Sequence, residues 1–236
     1  LNQFHDIIPG SSITEVYRDS LAQYDELASR GETLRTRALV ALQSHGEGPA
    51  SRVLTVNTLG CARREVGVLP GEGIASTQQS AKGQPLGIVS APAIGWSVSE
   101  ASAACEDFVS LREEAACLIL ENATLRATLR HDGRLVSLLH KPTGRETIAT
   151  GAAANHLVLY DDRPINWDAW DVDVFHLEKR QDVPPAESWC VLERGPLRAV
   201  VEFSYQMGRK SRLTQQVSLA ALAKRVEFAC QVAWHE

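Results

Sequence analysis

No stretch of the sequence approaches the roughly 20 consecutive apolar residues that cross a bilayer, so no membrane-spanning helix and no membrane partner are expected. Positive charge is not in excess. The chain has 24 Lys and Arg against 29 Asp and Glu, a formal net charge of −5, which excludes a strongly basic nucleic-acid binder. The five cysteines, Cys61, Cys105, Cys117, Cys190 and Cys230, contain no CxxC pair. A zinc ribbon is therefore excluded, and the odd number argues against a disulfide framework. Unpaired cysteines favour a reducing compartment, and a cytoplasmic location is expected. There is no P-loop, no G-x-G-x-x-G, no G-x-S-x-G elbow and no internal repeat. His131, His140, His156, His176 and His235 are scattered, with no HExxH. Hydrophobic residues at 44% and charged residues at 22% leave no room for a collagenous or low-complexity chain.

What is present suits one or two soluble domains, since 236 residues stand against about 150 per domain. The fold class expected is α+β: a long N-terminal helix followed by mostly antiparallel β-sandwich. Three zones carry it, at residues 1–48, 49–114 and 115–236. In the first, Ser12-Ile13-Thr14-Glu15 fits a capping box, with Ser12 as N-cap, and Gly46 stands where a C-cap glycine belongs. Between them Tyr17, Tyr24, Gly31 and Ala38 recur every seven residues, as do Ser20, Leu27, Leu34 and Ala41. That is a seam for packing against other helices. One helix cannot bury its own seam, so partner helices are expected outside this chain. With the start at Leu1, this suggests a segment of a larger protein.

The second zone reads as strands at 52–57 and 64–69, a Gly-, Ser- and Gln-rich loop from Gly71 to Gly83, and an extended stretch from Leu86 broken at Pro92. In the third, Leu125, Ala127 and Leu129 alternate with polar residues, and Asp132-Gly133 marks a hairpin back to 135–138. Further strands are expected at 197–205 and 212–219. The strict alternation of Val226, Phe228, Cys230, Val232 and Trp234 forms the last.

Two clusters could carry chemistry. His5 and Asp6 sit side by side in Asn2-Gln3-Phe4-His5-Asp6-Ile7-Ile8-Pro9-Gly10-Ser11, just ahead of the helix. Imidazole and carboxylate suit a divalent metal or sugar hydroxyls, and they equally suit a structural pair. The second cluster is Asp161-Asp162-Arg163-Pro164-Ile165-Asn166-Trp167-Asp168-Ala169-Trp170-Asp171-Val172-Asp173, with five carboxylates and two tryptophans in 13 positions. Indole faces stack on sugar C–H surfaces and carboxylates accept hydroxyl hydrogen bonds. The same composition fits an acidic surface loop anchored by its tryptophans.

The first run resembles the motif that closes the catalytic part of glycoside hydrolase family 38 α-mannosidases. Further matches follow in order. Val56-Asn57-Thr58-Leu59 is similar to the strand after the helical bundle. Glu121-Asn122, Asp132-Gly133-Arg134-Leu135-Val136-Ser137-Leu138 and Gly144-Arg145-Glu146 resemble the opening of the C-terminal β-region. Trp167-Asp168-Ala169-Trp170-Asp171-Val172-Asp173 and Val232-Ala233-Trp234-His235-Glu236 resemble the cytosolic and vacuolar branch and its bacterial relatives.

The resemblance implies part of a metal-dependent, retaining exo-α-mannosidase that removes terminal α-mannose from oligosaccharides and N-glycans. It implies one helix of a three-helix bundle, then a small β-domain, then the first part of a large β-sandwich. It makes His5 a ligand of a divalent metal, zinc first, with cobalt or manganese as alternatives. It makes Asp6 a contact to sugar hydroxyls, and it places Trp167, Asp168 and Trp170 at the substrate. The nucleophile, the acid/base carboxylate and the remaining metal ligands would lie upstream of Leu1. No catalytic residue is therefore assigned within the chain, and the isolated chain is expected to be inactive. The partner expected is an α-mannoside oligosaccharide, with a homo-oligomer left open. The competing reading is a non-catalytic carbohydrate-binding or scaffold β-sandwich. A helical H-D phosphohydrolase is excluded by the β-rich pattern.

Overall fold

The computed structural model describes residues 2–43, 52–70, 76–100, 107–167 and 170–235. Gly46 and Asp168 lie outside the described residues. The chain divides into two compact units, residues 1–48 with 160–181, and residues 49–159 with 182–236.

The first unit contains helix α1, Thr14–Gln43. Its 30 residues correspond to about 45 Å at 1.5 Å per residue. Surface pairs at helical spacing support it, with Arg30 bonded to Glu26 at 3.2 Å and Arg35 to Glu32 at 2.5 Å. The expected capping box does not form. The Val16 and Tyr17 N–H groups donate to the Ile13 carbonyl, and the Ser12 hydroxyl turns away to the Asp6 carbonyl at 3.1 Å. Ser20 is the one buried residue on α1, while Leu21, Leu27, Leu34 and Val40 are exposed. Beyond Ser20 the seam is present on the helix and exposed at Tyr24, Leu27 and Leu34. Among the described residues α1 is the one α-helix.

The second unit is antiparallel β-structure. Strands β1 (Arg52–Asn57), β2 (Arg63–Val68), β3 (Leu86–Ala91) and β4 (Gly95–Glu100) make two two-stranded ladders, β1 with β4 and β2 with β3. Strands β5 (Ser110–Glu113), β6 (Cys117–Glu121), β7 (Leu125–Arg130), β8 (Leu135–His140) and β9 (Arg145–Glu146) form one five-stranded sheet in sequence order. After β10 (Val158–Tyr160) and β11 (Arg180–Asp182), which pair with each other, come β12 (Ser188–Arg194), β13 (Arg198–Met207), β14 (Ser211–Ala220) and β15 (Glu227–Ala233). These last four build a four-stranded sheet.

The two larger sheets share one core. Leu118, Leu120, Leu125, Ala127 and Leu129 come from the first, and Val201, Phe203, Leu213, Val217 and Leu219 from the second. Burying each large side chain contributes about 1.5–3 kcal/mol. The alternation along β7 and β14 puts every second residue inside, as a strand repeat of two requires. The stripe on β15 behaves differently. Phe228, Cys230 and Val232 pair with Val217, Gln215 and Leu213, whose side chains face the core, yet Phe228 and Val232 remain exposed. The strand is at the sheet edge, where no further strand covers that face within the four-stranded order.

Polar clamps complete the unit. Asn57 donates to the Cys61 and Pro92 carbonyls and accepts from the Leu59 N–H, tying the β1–β2 connection to the β3–β4 connection. Asn122 donates to the Ala220 and Ala223 carbonyls and accepts from Thr124 and Leu125, joining the two large sheets. At the β7–β8 turn, Gly133 has φ +85°, and a Cβ there would fall 1.8 Å from the buried Tyr205 hydroxyl. Only glycine meets both demands.

Loop 76–85 is locked down by a buried network. Gln78 accepts the Leu197 and Arg198 N–H groups at 2.7 and 2.9 Å, and donates to the Arg198 carbonyl at 2.6 Å. Glu193 takes both Arg198 guanidinium donors at 2.7 Å and the Ala81 N–H at 2.8 Å.

Glu121 gathers three cations. Arg126 binds it through two donors at 3.0 Å, Lys141 reaches it at 2.9 Å and Arg112 at 3.3 Å. Arg126, then Lys141, overcome the opposing effect of burial and hold the Glu121 carboxyl at about 2, against an ordinary 4.5. Because the folded value is depressed, the stabilisation is complete above about pH 4.5 and is lost as the pH falls through about 2. At about 1.4 kcal/mol per unit, up to roughly 3 kcal/mol is at stake. Thermal melts of the wild type and of Glu121→Gln should differ at neutral pH and converge near pH 2. Curves that stay parallel on acidification would contradict this. Exposed Glu146, held near the same value by the Ser137 hydroxyl and the backbone N–H groups of Ile148, Leu138 and Thr147, adds to the acid sensitivity without bearing on that difference.

Candidate functional site

Residues 2–10 wind into consecutive turns. The Ile7 and Ile8 N–H groups donate to the Phe4 carbonyl, and Gly10 donates to Ile7 at 3.3 Å. Gly10 has φ +88°, the left-handed conformation that lets the chain reverse into α1. His5 and Asp6 occupy the first of these turns. The His5 Nε2 lies 3.4 Å from an Asp6 carboxylate oxygen, and the side chains are 63% and 48% exposed. Both groups are thus open to a ligand. The His5 ring rests against Phe4, with centroids 4.2 Å apart, and faces Trp170 at 5.8 Å, tilted by 53°.

Trp170 arrives from the 161–179 segment, in the same compact unit. That segment turns on Trp167, whose φ of +58° lies in the left-handed region. A bulky residue there stores of order 1–3 kcal/mol of strain. The Trp167 carbonyl accepts the Trp170 and Asp171 N–H groups at 2.7 and 2.9 Å, which holds the turn. Trp167 is 74% exposed and Trp170 52%. On one side of the turn, Asp161 pairs with Arg163 at 3.0 Å and Lys179 at 3.4 Å, and Arg163 chiefly holds its carboxyl below the usual range. On the other, a 3-10 helix at Val174–Lys179 carries His176, whose Nδ1 lies 2.6 Å from the Asp173 carbonyl oxygen.

His5, Asp6 and Trp170, called from two motifs far apart in sequence, therefore meet, and Trp167 is tied to Trp170 through its backbone. Asp168 lies outside the described residues, so its position relative to them is not part of the arrangement. Phe4 is a neighbour that the residue pattern did not single out, although it directly precedes His5. An imidazole, a carboxylate and two exposed indole faces in one unit are what a sugar hydroxyl and a sugar C–H face require.

A metal makes a stricter demand. Zinc takes three or four protein ligands. Among the described residues no group of three or more His, Cys, Asp or Glu is placed to hold a metal ion. His5 and Asp6 are suitable donor types but do not make a closed site by themselves.

Comparison with known proteins puts the chain among the glycosyl hydrolases. The family model described as "Alpha mannosidase middle domain" matches residues 1–42, and that described as "Glycosyl hydrolases family 38 C-terminal domain" matches residues 120–236. The chain belongs to glycosyl hydrolase family 38. It is 37% identical over 243 residues to alpha-mannosidase 2C1 of Homo sapiens, covering all of this chain and 22% of that protein. It is 35% identical over 243 residues to alpha-mannosidase 2C1 of Mus musculus, with the same coverage of 100% and 22%. To alpha-mannosidase G of Dictyostelium discoideum it is 26% identical over 288 residues, covering 100% of this chain and 26% of the relative. The chain thus spans about a quarter or less of the length of these curated relatives. No helix among the described residues is long and apolar enough to cross a membrane.

Proposed function

We propose that this chain is a segment of a metal-dependent, retaining exo-α-mannosidase that removes terminal α-mannose from oligosaccharides. The observation that carries the reading is the meeting of His5, Asp6 and Trp170 in a chain whose relatives are named α-mannosidases. In this reading His5 supplies one ligand to a divalent cation, zinc by preference, whose chemistry is to bind and orient sugar hydroxyls. Asp6 accepts a hydroxyl hydrogen bond beside it. Trp167 and Trp170 present aromatic faces to the sugar ring, and Asp168, on the residue types alone, is assigned a hydroxyl contact beside them. Residues 1–48 close the catalytic region and provide one bundle helix, 49–114 form a small β-domain whose last strand, β5, enters the sheet of the next, and 115–236 begin the large sandwich. The four described free cysteines support a cytosolic setting.

Retaining hydrolysis needs a nucleophile and an acid/base. In this reading both come from chain beyond this segment. The 236-residue chain alone should therefore give no turnover of an aryl α-mannoside and no tight zinc binding by calorimetry. The longer protein that carries the segment should give both. Turnover by the isolated chain would overturn the division of labour proposed here, and an inactive longer protein would overturn the mannosidase reading itself.

A further inference from the structure

The sevenfold spacing of Tyr17 and Tyr24 reads as helix-seam packing, but the structure gives their hydroxyls other work. The Tyr17 phenol oxygen accepts the Ser12 N–H at 3.0 Å. Its single proton is directed between the carbonyl oxygens of Asp6, at 3.3 Å, and Ile7, at 3.4 Å. The Ser11 and Ser12 hydroxyls reach the same Asp6 carbonyl at 3.3 and 3.1 Å. Three hydroxyls thus converge on the peptide that follows Asp6. Two turns further along α1, the Tyr24 hydroxyl accepts from the Gln3 side chain at 3.3 Å and donates to the Asn2 carbonyl at 3.4 Å.

We propose that Tyr17 is a positioning residue for the His5–Asp6 pair. The peptide after Asp6 sets the ψ of Asp6, and with it the direction of the carboxylate and of the adjoining His5 imidazole. Both side chains are largely exposed and neither is held by a buried partner, so their aim depends on the backbone beneath them. Tyr17 supplies the link from that backbone to α1, an element rigid enough to serve as a mount. The phenol touches neither ligand nor reacting atoms; it acts through the turn. This inference rests on the mannosidase reading for its functional consequence, but the anchoring itself is independent of that reading.

Tyr17→Phe removes the hydroxyl and keeps the ring. In the 236-residue chain, amide hydrogen exchange should accelerate across residues 2–10 while the thermal midpoint stays unchanged. In the longer protein, kcat for an aryl α-mannoside should fall about tenfold with KM little altered, the size typical of groups that orient ligating residues. Tyr24→Phe, which loosens only residues 2 and 3, serves as control and should leave kcat unchanged. Unchanged exchange at 2–10 in Tyr17→Phe overturns the anchoring. Faster exchange with unchanged kcat, in a protein that His5→Ala inactivates, overturns the positioning role. If His5→Ala keeps full activity, the mannosidase reading of this site falls instead. The exchange data then decide the anchoring alone, faster exchange supporting it and unchanged exchange overturning it.

Discussion

His5→Ala, made in the longer protein that carries this segment, is expected to lower α-mannoside turnover by at least roughly a hundredfold, the upper end of what loss of a group merely orienting a metal ligand costs. Bound divalent metal should fall in parallel. The argument is one of donor chemistry and exposure. The imidazole stands 63% exposed between Phe4 and Trp170, and among the described residues the Asp6 carboxylate beside it is the acidic group within salt-bridge reach. It therefore contributes little to packing, and the melting temperature should hardly move. Activity and metal content, measured by initial rates and elemental analysis, should move together while stability does not. Wild-type metal content in an inactive variant would reassign His5 from ligand to sugar contact, and wild-type rates would remove it from the site.

The second large effect concerns stability. Glu193→Ala is expected to cost about 3–5 kcal/mol, the usual loss when one member of a buried ion pair is removed. Glu193 is 5% exposed, and its carboxylate satisfies the Arg198 guanidinium, the Ala81 N–H and the Gln78 amide together. Deletion leaves those donors facing a void that water does not freely enter. Gln78 is committed to the backbone at residues 197 and 198, so loop 76–85 should loosen with it. Denaturant unfolding of the chain measures the loss directly, and Glu193→Gln, which retains an acceptor, should fall between the two. A change under 1 kcal/mol would mean that the network is not closed in solution.

Much of this architecture was readable from residue order. Alternation gave β7, β13 and β14 nearly to the residue, because one face of each meets a shared core. It also gave β15, although there Phe228 and Val232 on the alternating stripe remain exposed. The helix was readable from its sevenfold spacing, but its start was not. Ser12 has the chemistry of a cap, yet the Asp6 carbonyl competes for its hydroxyl, and no local rule anticipates a partner six residues back.

The motifs that carried the family resemblance divide by physics. Asn57, Asn122, Glu121 and Glu146 are polar clamps that hold turns and sheets together, and they say nothing direct about chemistry. Gly133 belongs with them as the glycine that Tyr205 requires. His5 and Asp6, by contrast, are exposed. That Trp170 approaches His5 could not be read from either motif alone, since each is locally complete. The contact is a product of the tertiary fold.

The segment between β10 and β11 leaves the second unit and returns to it through two strands that pair with each other. Its ends are fixed as neighbours, so the entropy of closing it changes only slowly with its length. Residues 161–179 can therefore lengthen, shorten or change composition while the sandwich keeps its register. Such a closed excursion lets the tryptophans it carries be exchanged without a change in the strand pairing that holds its ends.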